Sequence, residues 1–197
     1  MKLLFLLVSI GLVSFSAVTE LPIGSKMPNA DVKMKDISGK MVSLKDAAKK
    51  NGLLVMFSCN TCPYVIKNEQ RTRDISAYAL KNDIGVVLVN SNEGSRSKDD
   101  SFEAMQAYAK KNGYKWYYVV DENSALADAF GAKRTPENFL FDKNGTLIYH
   151  GAIDENPADA NNPGRAHLKE AINEMLANKN VAVNNTRSVG CTIKRVK

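Results

Sequence analysis

Two cysteines separated by two residues, Cys59-Asn60-Thr61-Cys62, are the side chains whose type and spacing best suit chemistry in this chain. Such a pair can close a disulfide, bind a metal as thiolates or anchor a haem. Haem attachment needs His directly after the second cysteine, and that position is Pro63. Structural zinc needs about four ligands. Beyond the pair the chain offers Cys191, His150 and His167, none at finger-like spacing. A disulfide across two residues removes little freedom from the unfolded chain, which argues against a purely structural bond. Thiol–disulfide exchange, in which one thiolate attacks and a neighbouring thiol resolves, is the chemistry that remains.

The elements around the pair support that reading. Leu53 to Phe57 is a continuous apolar run bounded by turn residues, as in a strand buried on both faces. A helical segment is expected from Pro63 to about Asn82. The pair therefore falls where a buried strand gives way to a helix, at the carboxyl edge where α/β proteins place their sites. Free first-turn N–H groups stabilise a thiolate there, and Pro63 is tolerated because first-turn positions need no donor. The expected placement has Cys59 just before the helix and Cys62 half a turn inside it.

Upstream, Asp31–Lys35 and Met41–Leu44 flank the turn Asp36–Lys40 and read as a hairpin. Downstream, Ile84–Asn90 is a second buried strand. Asp100 and Glu103 suggest a capping box opening a helix with Phe102, Met105, Tyr108 and Ala109 on one side. Trp116–Val120 is a third strand, followed by a helix over Ser124–Phe130 that stops at Gly131. Glu137–Asp142 and Thr146–His150 flank Lys143-Asn144-Gly145, a strong hairpin signal. Leu168, Ala171, Ile172, Met175 and Leu176 form the apolar stripe of a last helix. The order predicts an α/β fold with a central mixed sheet, helices on both faces and an N-terminal β-hairpin extension.

Composition narrows the setting. Met1-Lys2, an apolar stretch to Val13 and the small residues Ser14-Phe15-Ser16-Ala17 follow the order of a secretory signal, and the stretch is too short for a span of about 20 residues. The expected organisation is a signal peptide over 1–16, one domain over 17–180 and a C-terminal tail over 181–197. Export to the periplasm or beyond the cell follows, with membrane contact only if the signal stays uncleaved. The net charge of +6 is scattered, without a basic stripe, so no nucleic-acid partner is expected. Three cysteines are too few to staple a scaffold, and one is left over. Cys191 reads first as a buried small residue, with a third redox thiol or an intermolecular link as the alternatives.

The strand, Cys59-x-x-Cys62 and helix resemble the first half of thioredoxin-like proteins. Arg134-Thr135-Pro136 resembles the segment carrying that superfamily's cis-proline, and Phe139–Gly145 followed by Gly151-Ala152 resembles its closing hairpin. The additional Trp116 strand and Ala125 helix, with the leading hairpin, are more similar to its redoxin branch, which includes the alkyl hydroperoxide reductase/thiol-specific antioxidant superfamily and exported thioredoxin-like reductases. The resemblance implies that Cys59 attacks a protein or small-molecule disulfide and Cys62 resolves the mixed disulfide. It also implies that Thr135, presented by a cis Pro136 with Arg134 beside it, offers backbone to an extended substrate. A thiol electron donor would recycle the pair, and no cofactor or metal is needed. Two departures stand out: the strand before the pair holds no acidic residue, and Ser58 stands where thioredoxins carry Trp.

Two other readings compete. Peroxiredoxins resemble Pro-x-x-x-Thr/Ser-x-x-Cys, whereas counting back from Cys62 gives Cys59 and Val55, and from Cys59 gives Met56 and Gly52. A thiol peroxidase would therefore lack its hydroxyl, though Arg134 could approach the site. Copper carriers of thioredoxin fold resemble Cys-x-x-x-Cys-Pro, one residue longer than this motif, with His150 as a possible third ligand.

Overall fold

The structure, a computed structural model, describes residues 19–156, 159 and 162–196. The expected signal peptide lies outside the described residues. Among the described residues, no helix is long and apolar enough to cross a membrane.

The chain opens with β1 (Met34–Asp36) and β2 (Met41–Val42), then α1 (Leu44–Ala47), β3 (Leu53–Ser58), α2 (Pro63–Lys67) and α3 (Glu69–Lys81). It continues through β4 (Gly85–Asn90), α4 (Phe102–Lys111), β5 (Tyr117–Val120), α5 (Ala125–Phe130) and β6 (Arg134–Thr135). The closing elements are β7 (Glu137–Phe141), β8 (Leu147–Gly151), α6 (His167–Leu176) and β9 (Cys191–Thr192). Seven strands form one sheet in the order β2-β1-β5-β4-β3-β7-β8. The centre, β5-β4-β3, is parallel, while β7 joins β3 antiparallel and carries β8. The N-terminal hairpin completes the other edge, with β1 antiparallel to β5.

Strand alternation decides which face each side chain enters. Leu53, Val55 and Phe57 meet Val87, Val89, Phe139 and Phe141 on one face, under α1 and α5. Leu54 and Met56 join Val86, Leu88, Leu140 and Tyr149 on the other, under α3, α4 and α6. Burial on both faces explains why β3 reads as an unbroken apolar run. The stripe on α6 also behaves as its spacing requires: Leu168, Ala171 and Ile172 are buried, with Met175 and Leu176 partly so.

Two local expectations are corrected. The helix after the cysteines divides at Asn68, where φ −96° and ψ 2° depart from helical values. The Asn68 side chain donates to the Tyr64 carbonyl at 2.7 Å, an amide competing with the backbone ladder. The cap of α4 is Ser101, whose hydroxyl accepts from the Ala104 N–H. Asp100 is instead fully buried and faces the cysteines' loop.

The segment expected as a tail belongs to the fold. Asn185 bridges to His150 beside β8, and β9 pairs antiparallel with β6, matching Arg134 to Thr192 and Thr135 to Cys191. Ile193 is buried in the core on the α5 face.

That face is anchored by aromatics. Phe57 meets Phe130 and Phe139 edge-on, with ring centroids 5.5 and 5.6 Å apart. Because the ring is fully buried, Phe57→Ala should cost about 3–5 kcal/mol. Denaturant unfolding of the reduced protein should show a lower midpoint at an unchanged slope.

Candidate functional site

The reactive loop begins where β3 ends. Asn60, between the cysteines, is held from three directions: its N–H donates to Asp100 Oδ1 at 2.9 Å, its side-chain amide to the Asp99 carbonyl at 2.8 Å, and its Oδ1 accepts from the Tyr118 hydroxyl at 2.9 Å. The buried Asp100 carboxyl also accepts from the side-chain amides of Asn90 at 2.8 Å and Asn92 at 3.0 Å. None of these five residues belongs to the motif. Their only sequence signal is the concentration of Asn and Asp just beyond a buried strand.

Helix α2 starts at Pro63, so Cys62 is its N-cap and does not lie half a turn inside it as expected. Cys59 lies three residues before that cap. Both cysteine residues are nearly inaccessible, at 2% and 3% exposure. Thr135 contacts both: its hydroxyl lies 3.3 Å from Cys59 Sγ, and its carbonyl accepts from the Cys62 thiol at 3.2 Å. The Thr135–Pro136 bond is cis. The structure thus brings together Cys59, Cys62, Thr135 and Pro136. Arg134 points elsewhere: its exposed guanidinium donates to the Gly190 carbonyl at 3.1 Å.

The Thr135 edge does not stand open for an incoming strand, because β9 already occupies it. Gly190 is required by the closeness of this approach: a Cβ there would sit 2.0 Å from the Thr135 carbonyl oxygen. Cys191 packs against Cys59, Cys62, Val65 and Tyr64, so the odd cysteine is a neighbour of the pair. All three cysteines are free thiols.

Hydrogen bonding distinguishes the thiols. The Cys59 thiol, then the Cys191 thiol and the N–H groups of Val65 and Cys191, favour the Cys62 thiolate and hold its pKa down to about 4 despite burial. Cys59 moves upward, first because it serves Cys62 as a donor, then through burial, and further through the nearby Asp100 charge. Cys191 is pushed up to about 11 by burial and then by the same service to Cys62. In the thiol form Cys62 gives its proton to Thr135, whereas in the thiolate form it accepts from these donors.

A second buried group fixes the segment that faces the thiols. Glu137, directly after Pro136, accepts from the backbone N–H groups of Lys133 at 2.8 Å and Arg134 at 2.9 Å through one oxygen. Its other oxygen lies 2.7 Å from His150 Nε2, and the imidazole stacks on Phe139. His150 is thereby tied to Glu137 through Nε2. Among the described residues, no group of three or more His, Cys, Asp or Glu side chains is arranged to hold a metal ion.

The Redoxin family model matches residues 22–164. The chain belongs to the Redoxin family. An uncharacterized conserved protein from Geobacillus kaustophilus is 26% identical, with a TM-score of 0.82 over 89% of this chain and 93% of that one. A hypothetical protein from Sinorhizobium meliloti 1021 is 28% identical, with a TM-score of 0.82 over 90% of this chain and 97% of its own. A putative protein disulfide isomerase from Bacteroides thetaiotaomicron shares the fold at 22% identity and a TM-score of 0.61, over 80% of this chain and 91% of that one. No curated protein matches the chain. The redoxin match ends well before β9, so the strand that covers the thiols lies outside the matched region.

Two outcomes check this geometry. Thiolate absorbance assigned to Cys62 should persist as pH falls from 8 and disappear only through about 4. Because that value lies below a free thiol's, about 8.5, the thiolate's contribution to stability is complete above the free-thiol value and is lost as pH falls towards about 4. Gly190→Ala should lift β9 from Thr135 and speed alkylation of Cys62 by a small maleimide, with far-ultraviolet circular dichroism unchanged. Equal rates in wild type and variant would mean that β9 does not cover the sulfur.

Proposed function

We propose that this redoxin is an exported thiol–disulfide oxidoreductase in which Cys62 is the attacking thiolate and Cys59 resolves. The observation that carries the reading is the Cys62 sulfur at the start of α2, flanked by two thiols and backed by Val65 N–H. Redoxin membership supports oxidoreductase chemistry. The signal-like residues 1–16 and the disulfide chemistry support an exported, periplasmic or extracellular setting.

The steps balance without a cofactor. The Cys62 thiolate attacks one sulfur of a disulfide, forming a Cys62 mixed disulfide and releasing the other half as a thiolate. Cys59 then attacks the Cys62 sulfur, and its proton goes to the departing second thiolate. The products are the Cys59–Cys62 disulfide and two reduced substrate thiols, and an external thiol donor restores the dithiol. This assignment reverses the roles that the family resemblance implies, because the donors converge on the second cysteine. Thr135 and Pro136 form the wall beside the reacting sulfurs, and Arg134 acts on β9 rather than on substrate.

The depressed Cys62 also favours attack on a peroxide, which would convert Cys62 to sulfenic acid and release the alcohol or water. Against this, a thiol stands three residues before Cys62 where peroxidases carry Thr or Ser.

Trapping separates the possibilities. Cys59→Ser, with Cys191 also changed to Ser so that no neighbouring thiol can resolve the bond, should accumulate a covalent adduct with a disulfide substrate through Cys62, while Cys62→Ser should accumulate none. Accumulation by Cys62→Ser instead would restore Cys59 as the attacking residue. Brisk hydroperoxide consumption by wild type in a thiol reductant, lost in Cys62→Ser and kept in Cys59→Ser, would replace the reading with a peroxidase.

A further inference from the structure

The strand that covers the reactive pair carries a thiol of its own, and several contacts independent of that thiol hold it in place. Ile193 is buried, and its N–H donates to the Lys133 carbonyl at 3.0 Å. Lys194 N–H donates to Asn92 Oδ1 at 2.9 Å, and its carbonyl accepts from Gly94 at 2.7 Å. Arg195 reaches Asp128 Oδ1 at 2.7 Å and the Ala132 carbonyl at 2.8 Å. With Arg134 on the Gly190 carbonyl, Cys191 is fixed from both sides. It is matched to Thr135, the residue whose carbonyl accepts from Cys62. It is also the least buried of the three thiols. Cys62 therefore has both other thiols beside it, the buried Cys59 and the less buried Cys191.

We propose that Cys191 is a third redox residue, a second resolving thiol that closes a Cys62–Cys191 disulfide. This inference rests on the reading that Cys62 exchanges disulfides with an external substrate. When Cys62 carries a mixed disulfide, Cys191 attacks the Cys62 sulfur, the substrate half leaves as a thiolate, and the Cys191 proton goes to it. The disulfide substrate is the oxidant, so electrons balance. The product is an isomer of the Cys59–Cys62 disulfide. Attack by Cys59 on the Cys62 sulfur interconverts them, releasing the Cys191 thiol without an external reductant. The two states differ in one respect that matters for recognition. A Cys62–Cys191 bond fastens β9 across the Thr135 edge, whereas a Cys59–Cys62 bond leaves β9 attached only by noncovalent contacts. Oxidation at Cys191 therefore locks β9 covalently on the edge it already occupies, and transfer inward to Cys59 removes that lock.

Peptide mapping tests this directly, because trypsin separates the partners. Cys59 and Cys62 fall together in the peptide 51–67, and Cys191 falls in 188–194. The full chain is oxidised with oxidised glutathione, quenched in acid, alkylated and digested. In Cys59→Ser the two peptides should appear linked, through Cys62 by elimination. In the Cys59→Ser/Cys191→Ser double variant, Cys62 should retain glutathione, with adduct on the order of ten-fold above the single variant, since a tethered thiol competes at high effective concentration. Wild type quenched at short times should show the linked pair before the internal 51–67 disulfide, a readout that requires no substitution. Glutathione retained on Cys62 in Cys59→Ser, with Cys191 alkylated, would overturn the proposal and leave the oxidoreductase reading intact. A chain in which Cys62 takes no glutathione and wild type forms no Cys59–Cys62 bond would overturn both.

Discussion

The carboxyl group of Asp100 is the point on which the arrangement depends. It is wholly buried, and such a group must find hydrogen-bond donors within the protein or carry a heavy desolvation cost. It finds three amides, each on a different part of the molecule: the Asn60 backbone between the cysteines, Asn90 at the end of β4, and Asn92 in the loop that follows. Asn92 in turn holds Lys194 beyond β9. One carboxyl group thus joins the reactive loop, the sheet edge and the C-terminal strand. Thioredoxin-like proteins commonly place an acid in the strand before the cysteines. This chain has none there, and its buried acid comes from the start of α4.

Burial ordinarily opposes a thiolate, and Cys62 has almost no access to water. Donors resolve the conflict by replacing the solvent that burial removes. Two of them are thiols, so the stability of the charge depends on the redox state of its neighbours. Glu137 serves the opposite wall: by taking the N–H groups of Lys133 and Arg134, it sets the course of the chain into Thr135. The His150 ring occupies its other oxygen, leaving no part of that acid free for the sulfurs.

Much of this was legible in the sequence where local rules operate without competition. The unbroken β3 run, the α6 stripe and the Asn144-Gly145 turn, with Gly145 at φ +68°, each follow from periodicity or turn chemistry. Asp100 was read as a helix cap because Asp is a good cap, and its neighbour Ser101 is equally good and takes the position. The break at Asn68 rests on one side-chain bond within a segment of otherwise ordinary helical residues. The placement of Cys191 left no signal beyond the odd cysteine count: β9 is two residues long, and its pairing with β6 is fixed by contacts far away in the chain. Periodicity cannot announce a strand that short. The cysteine pair was visible from spacing alone, while the division of labour within it depends on which donors the fold gathers around Cys62.

The location of β9 after the elements that build the pocket also has a consequence in time. Everything that builds the pocket for the two cysteines, from β3 to β7, is synthesised before the strand that closes it. The emerging chain therefore passes through an interval in which its dithiol is assembled and uncovered. Concealment of the reactive sulfurs therefore waits until β9 itself has been made.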